Sequence, residues 1–149
     1  MTIRQAVAPE AVDDDPPVTA IMTADPVRVE STARLPTALH LMASTGVRHL
    51  PVMRGERCLG LVVEADLIRR LAGAPGRSAI AAPPNLGELV HPGEVVLPTA
   101  RVSEAARCMH STGSDVVLVA DSATLLGIVT ATDLIRFLAG TTGSANPSS

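Results

Sequence analysis

Two residues near the C-terminus, Thr130 and Asp133, have types and spacing that could perform chemistry. A carboxylate can accept hydrogen bonds from both adjacent hydroxyls of a ribose, and charge-assisted bonds of this kind are strong. The Thr-x-x-Asp spacing is also a variant of the capping box, in which a hydroxyl and an acid close the first turn of a helix. From the spacing alone, ligand binding and helix capping are equally good interpretations.

A basic pair, Arg48-His49, precedes the apolar residues Leu50-Pro51-Val52. On a strand beside a cleft this pair could contact a phosphate, and the guanidinium of Arg48 could make a forked contact. Alternate residues of a strand point to opposite faces. The other interpretation is therefore that at least one of the two only faces solvent.

The remaining reactive side chains form no catalytic or metal-binding pattern. Cys58 and Cys108 are far apart in the sequence and form no C-x-x-C pair, so they are better interpreted as small apolar side chains. Neither a glycine-rich phosphate loop nor a G-x-S-x-G motif is present. We predict no metal site, since the histidines are scattered: His40, His49, His91 and His110. No nucleophile or acid–base set emerges, so we also predict no required cofactor and no enzymatic activity.

The composition excludes further classes of function. The 149 residues are 46% hydrophobic but contain no Trp, no Tyr and a single Phe, Phe137. The core must be aliphatic, and a stacking platform for single-stranded nucleic acid is absent. A net charge of −3 has the wrong sign for binding a phosphate backbone. No signal peptide and no apolar run of roughly 18 residues is present, so we expect a cytoplasmic protein that binds neither nucleic acid nor membrane.

The candidate residues lie in a sequence that repeats itself at an offset of 67 residues. This offset pairs Asp133 with Asp66 and Thr130 with Val63, so the second copy alone has the hydroxyl. A chance match of this extent is improbable. The best-matched segments are Leu59–Arg69 with Leu126–Arg136, and Met42–Gly46 with Met109–Gly113.

Each copy is predicted to begin with a short strand and an amphipathic helix. Apolar residues at i, i+3, i+4 and i+7 predict helices that include Leu35–Met42 and Val102–Met109. Pro36 suits a first-turn position, and Ser103 is the expected N-cap of the second of these helices. A glycine is expected to end each of them, namely Gly46 or Gly113.

The full predicted order in each copy is β-α-β-β-α. Neither half of about 55 residues has much core of its own, so we predict an α/β (α+β) fold in which the two repeats pack as a pseudo-two-fold pair. The predicted strands are Val27–Val29, Val47–Met53, Leu59–Val63, Val95–Leu97, Asp115–Ala120 and Leu126–Thr130. The predicted last helices are Glu64–Ala72 and Ala131–Ala139, ended by Gly73 and Gly140.

Composition also divides the chain into two repeats and three connecting or terminal segments. Segments rich in Gly, Pro, Ala and Ser are typical of linkers and tails. The predicted division is a flexible N-terminal tail at 1–17, repeats at 18–72 and 85–140, a linker at 73–84, and a flexible C-terminal tail at 141–149.

The ordered motifs of both copies resemble the cystathionine-β-synthase (CBS) domain, which normally occurs in tandem pairs. The resemblance covers roughly residues 18–140. It implies clefts between the halves that bind an adenosine ligand such as AMP, ADP, ATP or S-adenosylmethionine. It also implies a disc-shaped homodimer and the regulation of another protein. The motifs that carry it are Ile21–Thr23, Met42–Gly46, Val47–Val52, Gly60–Ile68, Met109–Gly113 and Gly127–Ile135.

The resemblance further implies how the candidate residues combine. In the family, the acid and hydroxyl of one copy hold the ribose, and basic residues of the other copy contact the phosphate. One site is therefore expected to contain Arg48, His49, Thr130 and Asp133. The opposite site would combine Asp66 with Ser114 and Asp115, where an additional acid repels phosphate. We predict one competent cleft and one degenerate cleft.

Two functional hypotheses follow. The first is a stand-alone CBS-pair sensor that binds an adenosine ligand and signals through an unknown partner or through self-association. Adenine would lie between aliphatic side chains, because Phe137 is expected to pack or to contact a dimer partner. The alternative is a ligand-independent dimeric interaction scaffold, in which the acidic turn residues only cap helices.

Overall fold

The computed structural model describes residues 14–73 and 84–143. Almost the whole predicted linker and most of both predicted tails lie outside these residues. After a short 3-10 helix at Val18–Ala20, the first copy contains β1 (Thr23–Ala24), β2 (Val29–Glu30), α1 (Leu35–Thr45), β3 (His49–Arg54), β4 (Arg57–Val63) and α2 (Glu64–Ala72). The second contains α3 (Leu86–Leu89), β5 (Glu94–Val96), α4 (Val102–Thr112), β6 (Val116–Asp121), β7 (Thr124–Thr130) and α5 (Ala131–Gly143).

These elements form two sheets, and the predicted α/β fold is confirmed. One sheet has the order β2-β3-β4, and the other has the order β1-β7-β6-β5. In both, an antiparallel hairpin (β3–β4 or β6–β7) has a parallel neighbour, β2 or β5. Strand β2 was predicted at Val27–Val29 and lies at Val29–Glu30, and β5 was predicted at Val95–Leu97 and lies at Glu94–Val96. The bounds differ because they are set by pairing with β3 and β6.

The two copies exchange their N-terminal segments. Strand β1 of the first copy pairs antiparallel with β7 of the second, and Val18 is fully buried in the core around α4. Conversely, Leu86 is fully buried in the core around α1, and His91 forms a bridge with Leu61 in β4. Each half thus contributes to the core of the other, which the predicted domain division does not anticipate.

A third apolar cluster joins the two sheets. It contains buried residues of both hairpins: Met53, Leu61, Val116, Leu118, Leu125 and Ile128. Burial of aliphatic side chains is the main favourable contribution to folding, so this shared cluster holds the halves together. Within the described residues, no helix combines the length and the apolar character that crossing a membrane requires.

Most helix boundaries agree with the sequence, with two corrections. Pro36 lies in the first turn of α1, and Gly46 and Gly113 end α1 and α4 in the left-handed conformation. Ser103 is not the N-cap of α4, since Arg101 has that position. Gly140 does not end α5, which continues to Gly143; a glycine inside a helix costs only about 1 kcal/mol.

The free N–H of Ser103 is satisfied by a residue distant in sequence. The carboxylate of Asp15 accepts hydrogen bonds from the backbone N–H of Ser103 (2.8 Å) and from its hydroxyl (2.6 Å). The N–H of Val102 donates to the carbonyl of Pro16 at 2.9 Å. The segment around Asp15, predicted as part of a tail, therefore contacts the N-terminus of α4.

Candidate ligand-binding site

A cavity of about 520 Å³ lies between the two copies. Its apolar lining residues are Pro26, Val27, Val47 and Ile128. Gly46 also contributes to the lining. The polar lining residues come from both copies: Thr23, Arg48, His49, Thr130, Thr132 and Asp133. The structure thus brings together all four residues that the sequence assigns to one cleft.

Asp133 and Thr130 form the capping box that their spacing allows. Oδ2 of Asp133 accepts from the backbone N–H (2.8 Å) and hydroxyl (3.1 Å) of Thr130, and Oγ1 of Thr130 accepts from the N–H of Asp133 (3.3 Å). The other carboxylate oxygen, Oδ1, has a longer contact of 3.5 Å to Arg136. The Asp133 side chain is 14% exposed. Helix capping therefore uses one carboxylate oxygen, and the second is available for a further hydrogen bond.

The basic pair lies at the start of β3, opposite the N-terminus of α5. His49 is 14% exposed, and its Nε2 lies 3.2 Å from Oδ1 of Asp115. Arg48 is 80% exposed, and its Nε lies 3.9 Å from Oε1 of Glu64. Both basic residues can approach a ligand in the cavity, and each also has a carboxylate neighbour.

The sequence did not identify several of the lining residues. Thr132 lies within the Thr-x-x-Asp motif, in the first turn of α5, where backbone N–H groups and helix dipole favour an anion. Thr23 and Val27 reach the cavity because β1 crosses to β7. Such a crossing leaves no periodic signal in a strand of two residues. Thr132 could have been identified as a candidate lining residue from the sequence, because it lies between Thr130 and Asp133.

The surroundings of Asp66 differ from those of Asp133. A cavity of about 100 Å³ lies there. Asp66 contacts Arg69 at 2.7 Å and His91 at 3.8 Å. Ser114 and Asp115, which were expected to combine with Asp66, are not among the residues that line this cavity: Val62, Val63, Asp66, Leu67, Arg70, Leu89 and His91. The hydroxyl of Ser114 instead donates to the carbonyl of Val116, and Asp115 contacts His49.

The cysteines are half-buried free thiols. Burial, together with the neighbouring carboxylate of Glu94, raises the pKa of Cys108. A raised pKa keeps this thiol protonated near neutral pH and therefore weakly nucleophilic. Among residues 14–73 and 84–143, no group of three or more His, Cys, Asp or Glu side chains could hold a metal ion.

The chain matches one family model, in two places, and part of one curated relative. The family model of the CBS domain matches residues 18–73 and again residues 86–140. YlbB of Bacillus subtilis (strain 168), a protein of uncharacterised function, is 42% identical over 50 residues. That match covers 34% of this chain and 34% of YlbB, so it spans about a third of the relative's length.

Solved structures resemble the whole of the described fold. AcuB from Vibrio cholerae is 27% identical, with a TM-score of 0.73, over 89% of this chain and 97% of that protein. CBSX2, crystallised in complex with AMP, is 23% identical, with a TM-score of 0.74, over 85% of this chain and 98% of its own. The fold of the described residues therefore has experimental counterparts.

Proposed function

The chain belongs to the CBS domain family, and we propose that it is a regulatory protein that binds an adenosine ligand in the 520 Å³ cavity. The observation that carries this proposal is the meeting of Arg48 and His49 from one copy with Thr130 and Asp133 from the other in one lining. The complex of the similarly folded CBSX2 with AMP supports the choice of ligand class.

The chemistry of the lining suggests how such a ligand would be held. Adenine would lie among Val27, Val47 and Ile128, because no aromatic ring of Phe, Tyr or Trp belongs to the described lining. The ribose hydroxyls would donate to Oδ1 of Asp133. A 5′-phosphate would face Arg48 and the first turn of α5, where charge and helix dipole both favour an anion.

The proposed mode of action is mechanical rather than catalytic. A ligand that contacts both copies stabilises the relative orientation to which it binds best, by the difference in its affinity for the alternatives. That shift would be passed to a partner protein or to a second copy of this chain. A homodimer is supported by exposed apolar residues at matching positions on the last helix of each copy: Ile68 and Leu71, and Ile135 and Leu138.

A thermal-shift titration with AMP tests the proposed site through two matched variants. Asp133→Ala should abolish the AMP-dependent rise in melting temperature, because the ribose acceptor is lost. Asp66→Ala, the same change at the equivalent position, should preserve it. Asp133→Ala also removes a helix cap, which costs about 1 kcal/mol. The quantity compared is therefore the ligand-induced rise within each variant.

The second candidate function is a ligand-independent dimeric scaffold. It is favoured by the capping box, which is a sufficient structural reason for an acid at Asp133. It predicts no thermal shift with AMP, ADP, ATP or S-adenosylmethionine, together with a dimer in sedimentation experiments. A shift that disappears in Asp133→Ala but persists in Asp66→Ala would reject it.

A further inference from the structure

We propose that the cavity selects adenosine ligands with at most one phosphate, and that Asp115 and Glu64 set this limit by opposing further negative charge. The inference rests on the proposed function, since it specifies the ligand class of the same cavity. It follows from the charged groups around the basic pair rather than from the size of the cavity.

His49, a basic residue of the cavity lining, already has a carboxylate neighbour. Its ring is largely buried, and its Nε2 lies 3.2 Å from Oδ1 of Asp115. A histidine that donates to a carboxylate has that hydrogen already engaged, and the carboxylate offsets any positive charge on the ring. The negative charge of Asp115 therefore lies close to the place where the His49 ring would contact a phosphate.

Arg48, the other basic residue of the pair, also has a carboxylate neighbour. Its guanidinium is mostly exposed, and Glu64, at the start of α2, lies 3.9 Å from its Nε. The terminal nitrogens can still make a forked contact with one phosphate. A second or third phosphate that extended past Arg48 or His49 would approach Glu64 or Asp115, where like charges repel.

The charged side chains in and beside the cavity lining include as many acids as basic residues. Asp133 is the one acid among the described residues that line the cavity, and Arg136 lies 3.5 Å from its Oδ1. Asp115 and Glu64 lie beside the lining residues His49 and Arg48. Asp115, Glu64 and Asp133 thus oppose Arg48, Arg136 and a histidine. Such a balanced group can accept one phosphate at the N-terminus of α5. It lacks the surplus positive charge that recognition of a polyphosphate requires.

Calorimetric titration of the purified chain with AMP, ADP and ATP, in buffer without divalent cations, tests this limit. Omission of the cations keeps the phosphate charges unneutralised. We expect the dissociation constant to increase from AMP to ADP to ATP, by about tenfold or more across the series. Asp115→Asn keeps an oxygen that can accept a hydrogen bond from His49 but removes the negative charge. It should therefore reduce the ratio of the ATP dissociation constant to the AMP dissociation constant several-fold.

Asp121→Asn is the matched control, because Asp121 is an exposed acid at the end of β6, whereas Asp115 immediately precedes the start of that strand. It should leave the ratio unchanged. ATP that binds as tightly as AMP to the unmodified protein, or an unchanged ratio in Asp115→Asn, would overturn the charge limit while leaving the proposed function intact. Absence of binding by all three nucleotides would overturn both.

Discussion

At the scale of single residues, Asp133 has a capping role in the structure and a proposed role in ligand binding. The sequence left capping and binding as equal alternatives, because both need an acid three residues after a hydroxyl. The structure separates them by atom, with Oδ2 in the capping box and Oδ1 available beside Arg136. Asp66 has the same spacing from Val63, but without the hydroxyl, and its carboxylate contacts Arg69 and His91.

The residue scale also shows where sequence reasoning failed. Ser103 has the type and position of a helix cap, yet it receives its cap from Asp15, which lies in a different part of the sequence. Local spacing cannot reveal a hydrogen bond between residues 88 positions apart. In contrast, one cavity is lined by Arg48, His49, Thr130 and Asp133, the four residues that the resemblance to CBS pairs assigns to one site.

The Asp15–Ser103 contact predicts a specific dependence of stability on pH. Hydrogen bonds from the side chain and then the backbone of Ser103 lower the pKa of Asp15. A lowered folded-state pKa contributes stability above the unfolded value of about 3.9, and this contribution is lost as the pH falls through the folded value. Asp15→Asn should therefore weaken the acid dependence of the melting temperature below about pH 4.

Melting curves recorded from pH 7 to pH 2.5 for the wild type and Asp15→Asn provide the comparison. Asp14→Asn is the control, since Asp14 is an exposed neighbouring acid, and its curve should keep the acid dependence of the wild type. An Asp15→Asn profile that parallels the wild type throughout this range would contradict the assigned role of Asp15.

At the scale of elements, the repeat predicted the order of helices and strands but not the exchange between copies. Amphipathic helices such as α1 and α4 have a clear period, whereas β1 has two residues and no period to detect. Its pairing with β7 depends on Gly127, because a Cβ at that position would lie 2.8 Å from the carbonyl oxygen of Thr23 and 2.5 Å from Sδ of Met22. The close approach of two backbones thus requires this glycine.

Replacing Gly127 should therefore disturb the crossing of β1. Gly127→Ala is expected to lower the free energy of unfolding by about 1–3 kcal/mol, the usual cost of overpacking a close contact. Gly140→Ala is the control, because a Cβ at Gly140 meets nothing within 4 Å and alanine favours a helix. Urea denaturation should show a loss for the first variant only; equal stabilities would contradict the proposed requirement.

At the scale of the whole molecule, the repeat builds a pair of similar halves whose two clefts are chemically different. The cavity near Asp133 measures about 520 Å³ and that near Asp66 about 100 Å³. The sequence predicts one competent and one degenerate cleft, from Val63 in place of Thr130 and from Asp115 in place of Arg48. The contact between Asp115 and His49 could not be predicted in this way, because an offset gives equivalent positions and not the direction in which a side chain forms its hydrogen bond.

The central claim is that one cleft binds an adenosine ligand and its counterpart does not. Calorimetric titration of the purified protein with AMP measures this directly through the number of sites. The account predicts one site per chain, retained in Asp66→Ala and lost in Asp133→Ala. Two equivalent sites per chain, or undiminished binding by Asp133→Ala, would contradict it.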